Sequence, residues 1–256
     1  MSKPIWGSKV IHLPQVNSTN QFARELSSYI QPIFEGTTVI AEDQLGGKGR
    51  KDKEWVSEKN KNLCFSVILF PKFLTASNFF YLSKAVALGI CDYLNKLNII
   101  HARIKWPNDV YVGQDKIAGI LIENSWKGSE IQETVVGIGF NVNQIHFPAH
   151  LPNPTSVQLI KNRVYDLDKV LPDLLKTLDE RYKQLAEGAF DKIDTDYRYM
   201  LYGLGEYHTY LTDAGKLMAK IVGVETSGML KVQNEAGEEL LFDLDQIKLQ
   251  NGSQQV

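Results

Sequence analysis

Hydrophobic positions along this chain switch between helical and strand spacing, and the switches mark out its elements. Phe22, Leu26 and Tyr29 recur at helical intervals behind Asn17-Ser18-Thr19-Asn20-Gln21. Ser18 and Gln21 stand in capping-box spacing, so a helix is predicted from Ser18 with those three side chains on its buried face. Residues 37–42 are β-branched and apolar and predict a strand that ends at a glycine-rich stretch. Residues 63–70 form an almost continuous apolar run stopped by Pro71, the pattern of a strand buried on both faces. Ser77 is predicted to cap a long helix through Phe80, Leu82, Val86, Ile90, Tyr93, Leu94 and Leu97.

Short strands follow: 103–106, closed by Pro107; 110–112, leading into the Gly113-Gln114-Asp115 turn; 116–123; and 134–143. Helical spacing returns at Leu167, Val170, Leu171, Leu174, Leu175, Leu178 and Tyr182, with a further short helix at 191–201. After Gly203-Leu204-Gly205 the texture changes to short strands split by turns at 213–215, 227–228 and 234–237, the spacing of a small β-barrel. The expected fold is α+β: a mixed sheet with flanking helices over residues 1–203, and a C-terminal β-barrel over 204–256.

Bulk properties narrow the function. The chain has 256 residues and a net charge of −2, which argues against a protein held to nucleic acid by phosphate contacts. No apolar run approaches the ~18 residues of a membrane span, and Met1-Ser2-Lys3-Pro4-Ile5-Trp6 has no secretory core. Cys64 and Cys91 sit in apolar surroundings and read as buried free thiols of a reducing, cytoplasmic protein. The five histidines are scattered, without metal-ligand spacing.

The most telling stretch is Gly46-Gly47-Lys48-Gly49-Arg50-Lys51-Asp52-Lys53-Glu54-Trp55. Glycines let a backbone approach a ligand closely, and cations among exposed amides form a cradle for an anion. It is not a Walker A loop, because no Lys-Ser or Lys-Thr pair follows Gly49. Nor is it a dinucleotide fingerprint, because Asp52 stands where a third Gly or Ala would be needed. A solvated lysine-rich surface loop and an anion-binding flap both fit this composition.

Four other polar groups stand out. Ser18-Thr19-Asn20 is either a plain helix cap or a cap that also faces a ligand. Gln44 offers a donor and an acceptor, suited to an amide or urea edge. Lys105-Trp106-Pro107-Asn108-Asp109 is followed by Lys116-Ile117-Ala118-Gly119; Lys116 either snorkels from a strand end or faces a ligand, and Gly119 hints at close backbone approach. Gly137 and Gly139 interrupt an apolar strand, which fits a bulge or a close ligand.

In order, these motifs resemble the biotin protein ligases. The series is S-T-N, A-E-x-Q-x-G-G-x-G-R…W, K-W-P-N-D, K-x-x-G-I-L-x-E and G-x-G-x-N-V-N, and it spans about residues 10–250. The resemblance implies a class II synthetase-like catalytic domain joined to an SH3-like barrel. It implies activation of biotin with ATP and Mg2+ to biotinyl-5′-AMP, then transfer to a lysine of a biotin carboxyl carrier domain, as in biotin–[acetyl-CoA-carboxylase] ligase. The alternatives are a lipoate–protein ligase, which shares the broad catalytic fold, and a non-catalytic biotin sensor.

Roles follow by position within the matching motifs. Ser18, Thr19, Asn20, Gln44, Gly47, Lys48, Gly49, Arg50, Lys116, Gly119, Gly137 and Gly139 are expected at biotin. Arg50, Trp55, Asn108, Asp109, Lys116 and Asn141 are expected at the nucleotide, with magnesium near Asp109 rather than in a protein cluster. Lys116, Arg50 and Lys48 are expected to carry the catalysis. Lys48, Asp52 and Lys53 depart from the family's Arg, Gly and Arg; Lys keeps the charge but loses the two-pronged fork. The first motif begins at Ser18, which implies a monofunctional ligase without a DNA-binding domain or nucleic-acid partner, as a monomer or homodimer.

Overall fold

The computed structural model describes residues 3–29, 32–51, 53–128 and 130–250. Strands β1 (Lys9–Leu13), β2 (Thr37–Ala41), β3 (Leu63–Leu69), β4 (Ala102–Lys105), β5 (Asp109–Val112), β6 (Asp115–Lys127) and β7 (Glu130–Phe140) form one sheet. Their order is β1-β2-β3-β7-β6-β5-β4. β1 and β2 are parallel and the other pairings antiparallel, so the sheet is mixed as expected. Helices α1 (Thr19–Tyr29), α2 (Phe80–Lys96), α3 (Val157–Lys161), α4 (Leu167–Ala186) and α5 (Phe190–Met200) flank it. A second, antiparallel sheet follows, of β8 (Tyr207–Thr212), β9 (Gly215–Val224), β10 (Leu230–Asn234), β11 (Glu239–Phe242) and β12 (Ile247–Leu249), in the order β11-β10-β9-β8-β12. It is the SH3-like module.

Strand alternation gives the large sheet two unlike faces. On β3, Leu63, Phe65, Val67 and Leu69 join Val136, Ile138 and Phe140 of β7 in the main core, with Leu82, Ile90 and Leu94 of α2 and Leu174 and Leu178 of α4. The intervening residues face the other way. There the register aligns Cys64 with Gly139 and Gly119, Ser66 with Gly137 and Leu121, and Ile68 with Val135 and Glu123. The last of these rows is covered by α1, where Ala23 meets Ile68 and Val135. The glycines of the other two leave a recess.

Several expectations are corrected. Tyr29 does not share the buried face of α1: it is 86% exposed, and the face turned inward is Thr19, Asn20, Ala23 and Ser27. Ser18 Oγ accepts from the Gln21 amide at 3.4 Å, but the Gln21 side chain turns to Glu25, so the reciprocal half of the capping box is not made. Ser77 does not cap α2, which begins at Phe80 after a turn in which Asn78 Oδ1 accepts from the Thr75 amide. β6 runs on to Lys127 and β7 starts at Glu130, beyond the expected 116–123 and 134–143, because these outer arms are mostly polar with only Trp126 and Ile131 apolar; β7 ends at Phe140 rather than Asn143. β1 and α3, both short, were not anticipated. Cys64 and Cys91 are buried free thiols, as expected.

A cavity beneath a cationic hairpin

The recess opens into a cavity of about 830 Å3 between the large sheet, the glycine-rich stretch and the SH3-like module. The glycine-rich stretch is a narrow hairpin. The Trp55 amide donates to Gly47 O, Lys48 bridges Glu54, and Gly49 N donates to Lys53 O. Its tip residue Lys51 is left-handed at φ 51°. Asp52, where the sequence departs from the family's glycine, lies outside the described residues. The cations therefore project from a folded ribbon, with Lys48, Arg50, Lys51 and Lys53 all on the cavity lining.

The glycines of the sheet are explained by the chain's own side chains. A Cβ at Gly139 would lie 2.1 Å from the Trp55 ring, and one at Gly119 3.0 Å from it. A Cβ at Gly137 would lie 2.1 Å from Asn20 Oδ1. Trp55 thus rests on the row Gly139–Gly119, and Asn20 on the row Ser66–Gly137–Leu121. No bulge is involved, since the β6–β7 register shifts only at Ser125/Trp126.

At the head of α1, Gln44 Oε1 accepts from the Thr19 amide (3.0 Å) and hydroxyl (3.1 Å). Ser66 Oγ lies 2.7 Å from Thr19 Oγ1 and 2.6 Å from Asn20 Oδ1. Asn20 Nδ2 donates to Glu123 Oε2 (2.9 Å) and Leu121 O (3.3 Å). On the opposite wall Lys116 Nζ stands 2.7 Å from Asp109 Oδ1, both side chains partly exposed, and 5.5 Å from the Trp55 ring centre. A bulge where β5 meets β6 aligns Tyr111 with Lys116. Hydrogen bonds from Lys116 N to Asn153 O and from Thr155 N to Lys116 O fix its backbone.

Of the residues singled out in sequence, Ser18, Thr19, Asn20, Gln44, Lys48, Gly49, Arg50, Trp55, Asn108, Asp109, Lys116, Gly119, Gly137, Gly139 and Asn141 all line this one cavity. Gly47 does not: it is buried at the base of the hairpin, where a Cβ would lie 2.5 Å from Gln44 Nε2 and 2.3 Å from Trp55 O. Asn108 has a structural engagement as well, its Nδ2 donating to Ile120 O at 2.8 Å. Asn141 Nδ2 donates to Thr155 O at 2.9 Å, while its buried Oδ1 has no partner among the described residues.

Among the groups missed are Lys105, Tyr202 and Asp245 on the lining and Ser66 behind it, hydrogen-bonded to Asn20 and Thr19. Ser66 had a legible signal, a lone hydroxyl in an apolar strand. Lys105, inside the recognised K-W-P-N-D run, lies 4.5 Å from the Tyr111 ring centre and 5.7 Å from that of Tyr202. Burial pulls the Lys105 ammonium below the ordinary lysine value; Asp109 opposes this, and Lys116 and Lys248 add to it. Asp245, between β11 and β12, lies 2.8 Å from Lys51 Nζ and 3.5 Å from Arg50 Nη2. Tyr202 lines the side next to the SH3-like module. Nothing local in the sequence ties Tyr202 or Asp245 to the hairpin.

A mixed sheet with a polar, glycine-floored recess thus lies below a cationic hairpin and beside an SH3-like module. Residues 12–141 match the model of the biotin/lipoate A/B protein ligase family. The chain is 32% identical to the biotin–[acetyl-CoA-carboxylase] ligase of Paracoccus denitrificans, over 90% of this chain and 96% of that one. It is 27% identical to the bifunctional ligase/repressor BirA of Bacillus subtilis, over 94% of this chain and 74% of that protein. Among solved structures, the biotin protein ligase from Aquifex aeolicus in complex with biotin and ATP superposes with a TM-score of 0.80 at 30% identity, over 96% of this chain and 100% of that one. The chain belongs to the biotin/lipoate A/B protein ligase family, on its biotin protein ligase side.

Proposed function

We propose that this chain is a biotin–[acetyl-CoA-carboxylase] ligase, which joins biotin to AMP and then passes it to a lysine of a carrier domain. The observation that carries the reading is one cavity in which a neutral hydrogen-bonding end, Thr19–Gln44–Ser66–Asn20, faces a cationic end, Lys116 with Arg50 and Lys48. Biotin has that polarity: a urea ring at one end and a carboxylate at the other. The similarity to a ligase solved with biotin and ATP supports the same reading.

In the first step a carboxylate oxygen of biotin attacks the α-phosphorus of ATP. A new P–O bond forms as the bond to pyrophosphate breaks. Two anions must meet, and fixed charge aimed at them is the largest contribution a site can make. Lys116 and Arg50 supply it, with Lys48 at the hairpin edge. Among the described residues no group of three or more His, Cys, Asp or Glu side chains gathers as a metal site. Magnesium enters this scheme as part of the MgATP substrate, and Asp109 is the carboxylate paired with Lys116. Trp55, Asn108 and Asn141 fit the nucleotide side. In the second step the carrier lysine amine attacks the acyl carbon, the C–O bond to phosphate breaks, AMP leaves and the amine releases a proton. The hairpin excludes water from the anhydride meanwhile.

The division at 203/204 belongs to the same proposal, supported by the left-handed Gly203 and Gly205 at φ 69° and 74°. The test is incubation with MgATP, biotin and a biotin carboxyl carrier domain, read by mass. One added biotinyl group per carrier, lost when the acceptor lysine is replaced, is the expected result. An unmodified carrier, or equal transfer of lipoate, would overturn the assignment.

A further inference from the structure

We propose that Glu123 is a positioning residue: its carboxylate fixes which end of the Asn20 amide faces the cavity, so the pocket selects a ligand bearing an N–H donor there. This rests on the biotin reading above and names the group that sets its polarity. Asn20 is 5% exposed and lies flat on Gly137. One end of its amide faces two acceptors, Glu123 Oε2 at 2.9 Å and Leu121 O at 3.3 Å. A carboxylate and a carbonyl only accept, so that end must be Nδ2. The other end is then the carbonyl Oδ1, 2.6 Å from Ser66 Oγ. Oδ1 has no proton, so Ser66 donates to it, and one lone pair remains for the cavity.

Rotating the amide by half a turn would set Oδ1 against Glu123 and Nδ2 against Ser66. Glu123, with Leu121 O beside it, opposes this, since oxygens without protons would meet at a partly buried contact. The carboxylate is itself held from outside, with Arg24 Nη1 at 2.9 Å from Oε1. The register explains why the residue stands there: Glu123 is on the same face of β6 as Leu121 and Gly119, two residues beyond the row on which Asn20 lies. Glu123 also ends the K-x-x-G-I-L-x-E run, whose last position the reaction scheme leaves unused.

Steady-state kinetics on the full-length chain test this, with folding checked by circular dichroism. Glu123→Ala is expected to raise the KM for biotin about tenfold, the scale of one misdirected hydrogen bond to a charged group. The KM for MgATP and the melting temperature stay close to the parent's. Glu123→Gln still offers a carbonyl acceptor and returns the biotin KM to within about threefold of the parent. Arg24→Ala leaves the carboxylate in place and has little effect. A polarity swap keeps the question open if Glu123→Ala does not fold. Asn20→Asp alone loses biotin binding by about tenfold or more, and the Asn20→Asp/Glu123→Gln pair recovers most of it, because Gln donates where Asp accepts.

Parent-like biotin KM in folded Glu123→Ala would overturn the proposal. So would equal losses in the Ala and Gln variants, a matching rise in the MgATP KM, or a double variant no better than Asn20→Asp. A parent chain that binds no biotin by calorimetry would instead overturn the reading on which the proposal stands, and the proposal with it.

Discussion

Lys116 and Gly137 mark the two ends of the cavity, and each carries a prediction. Lys116 holds its ammonium 2.7 Å from Asp109 Oδ1, a buried oxygen with no other hydrogen-bond partner among the described residues, but both side chains are partly exposed, so water can enter where the ammonium is removed. Lys116→Ala is therefore expected to fold normally and to lose about 100-fold in adenylation, the scale for one charge-stabilising donor. A pyrophosphate-release assay measures this, and near-parent turnover would exclude the role. Gly137→Ala is a different case. Its methyl would fall 2.1 Å from Asn20 Oδ1, so Asn20 must leave the strand. Calorimetry should find biotin affinity reduced about tenfold, with roughly 1–3 kcal/mol of stability lost to overpacking. That residues at both ends gather at one cavity was legible in sequence because it rests on residue type within a motif. The physical reason for the glycines was not. They make room for Asn20 and Trp55, and only the folded register reveals what lies on a strand.

At the scale of elements, the long apolar periods of α2, α4 and β3 were legible because burial imposes them directly. The polar contacts that join helices to one another were not. Arg181 of α4 binds Asp92 of α2 through Nε at 2.6 Å and Nη2 at 3.1 Å, and also reaches Asp196 of α5. These partners are 89 and 15 residues away, beyond any local pattern. Arg181→Ala leaves Asp92 without its counter-ion and Asp196 with Lys192 alone, and should cost about 2 kcal/mol, below the fully buried figure because Asp92 and Asp196 are partly solvated. The melting temperature should fall by roughly 4–8 °C, and Lys should not restore it, lacking the fork. Burial pushes the Asp196 carboxyl up, but hydrogen bonds from Arg181 and Lys192 outweigh it and hold the group below its usual range. Its contribution is thus complete above the unfolded value of about 3.9 and is lost as pH falls through the lower folded value. The gap in melting temperature between parent and variant should therefore persist down to about pH 4 and narrow below it.

At the scale of the whole molecule, the hairpin tip is tied to the SH3-like module rather than left free in solvent. Lys51 and Arg50 both meet Asp245, and the hydrogen bond from Lys51 holds the Asp245 carboxyl below its ordinary range. Exposed ion pairs of this kind add little to global stability. Elsewhere the module is held by firmer contacts: buried Lys84 with Asp194 and Val224 O, and Trp106 Nε1 with Gly228 O at 2.9 Å. Asp245→Ala should therefore leave the melting temperature unchanged while freeing the hairpin. Trypsin should then cut after Arg50 or Lys51 several times faster, and 0.5 M salt, at a Debye length of roughly 4 Å, should speed cleavage of the parent in the same direction. Because the Asp245 carboxylate is favoured in the folded state, the tie should hold at neutral and mildly acidic pH and fail only as pH drops through its lowered value. Biotin with ATP should protect both proteins if the anion takes over Arg50 from Asp245. Equal cleavage of parent and variant in low salt would mean that the hairpin is rigid by itself and owes nothing to the module beside it.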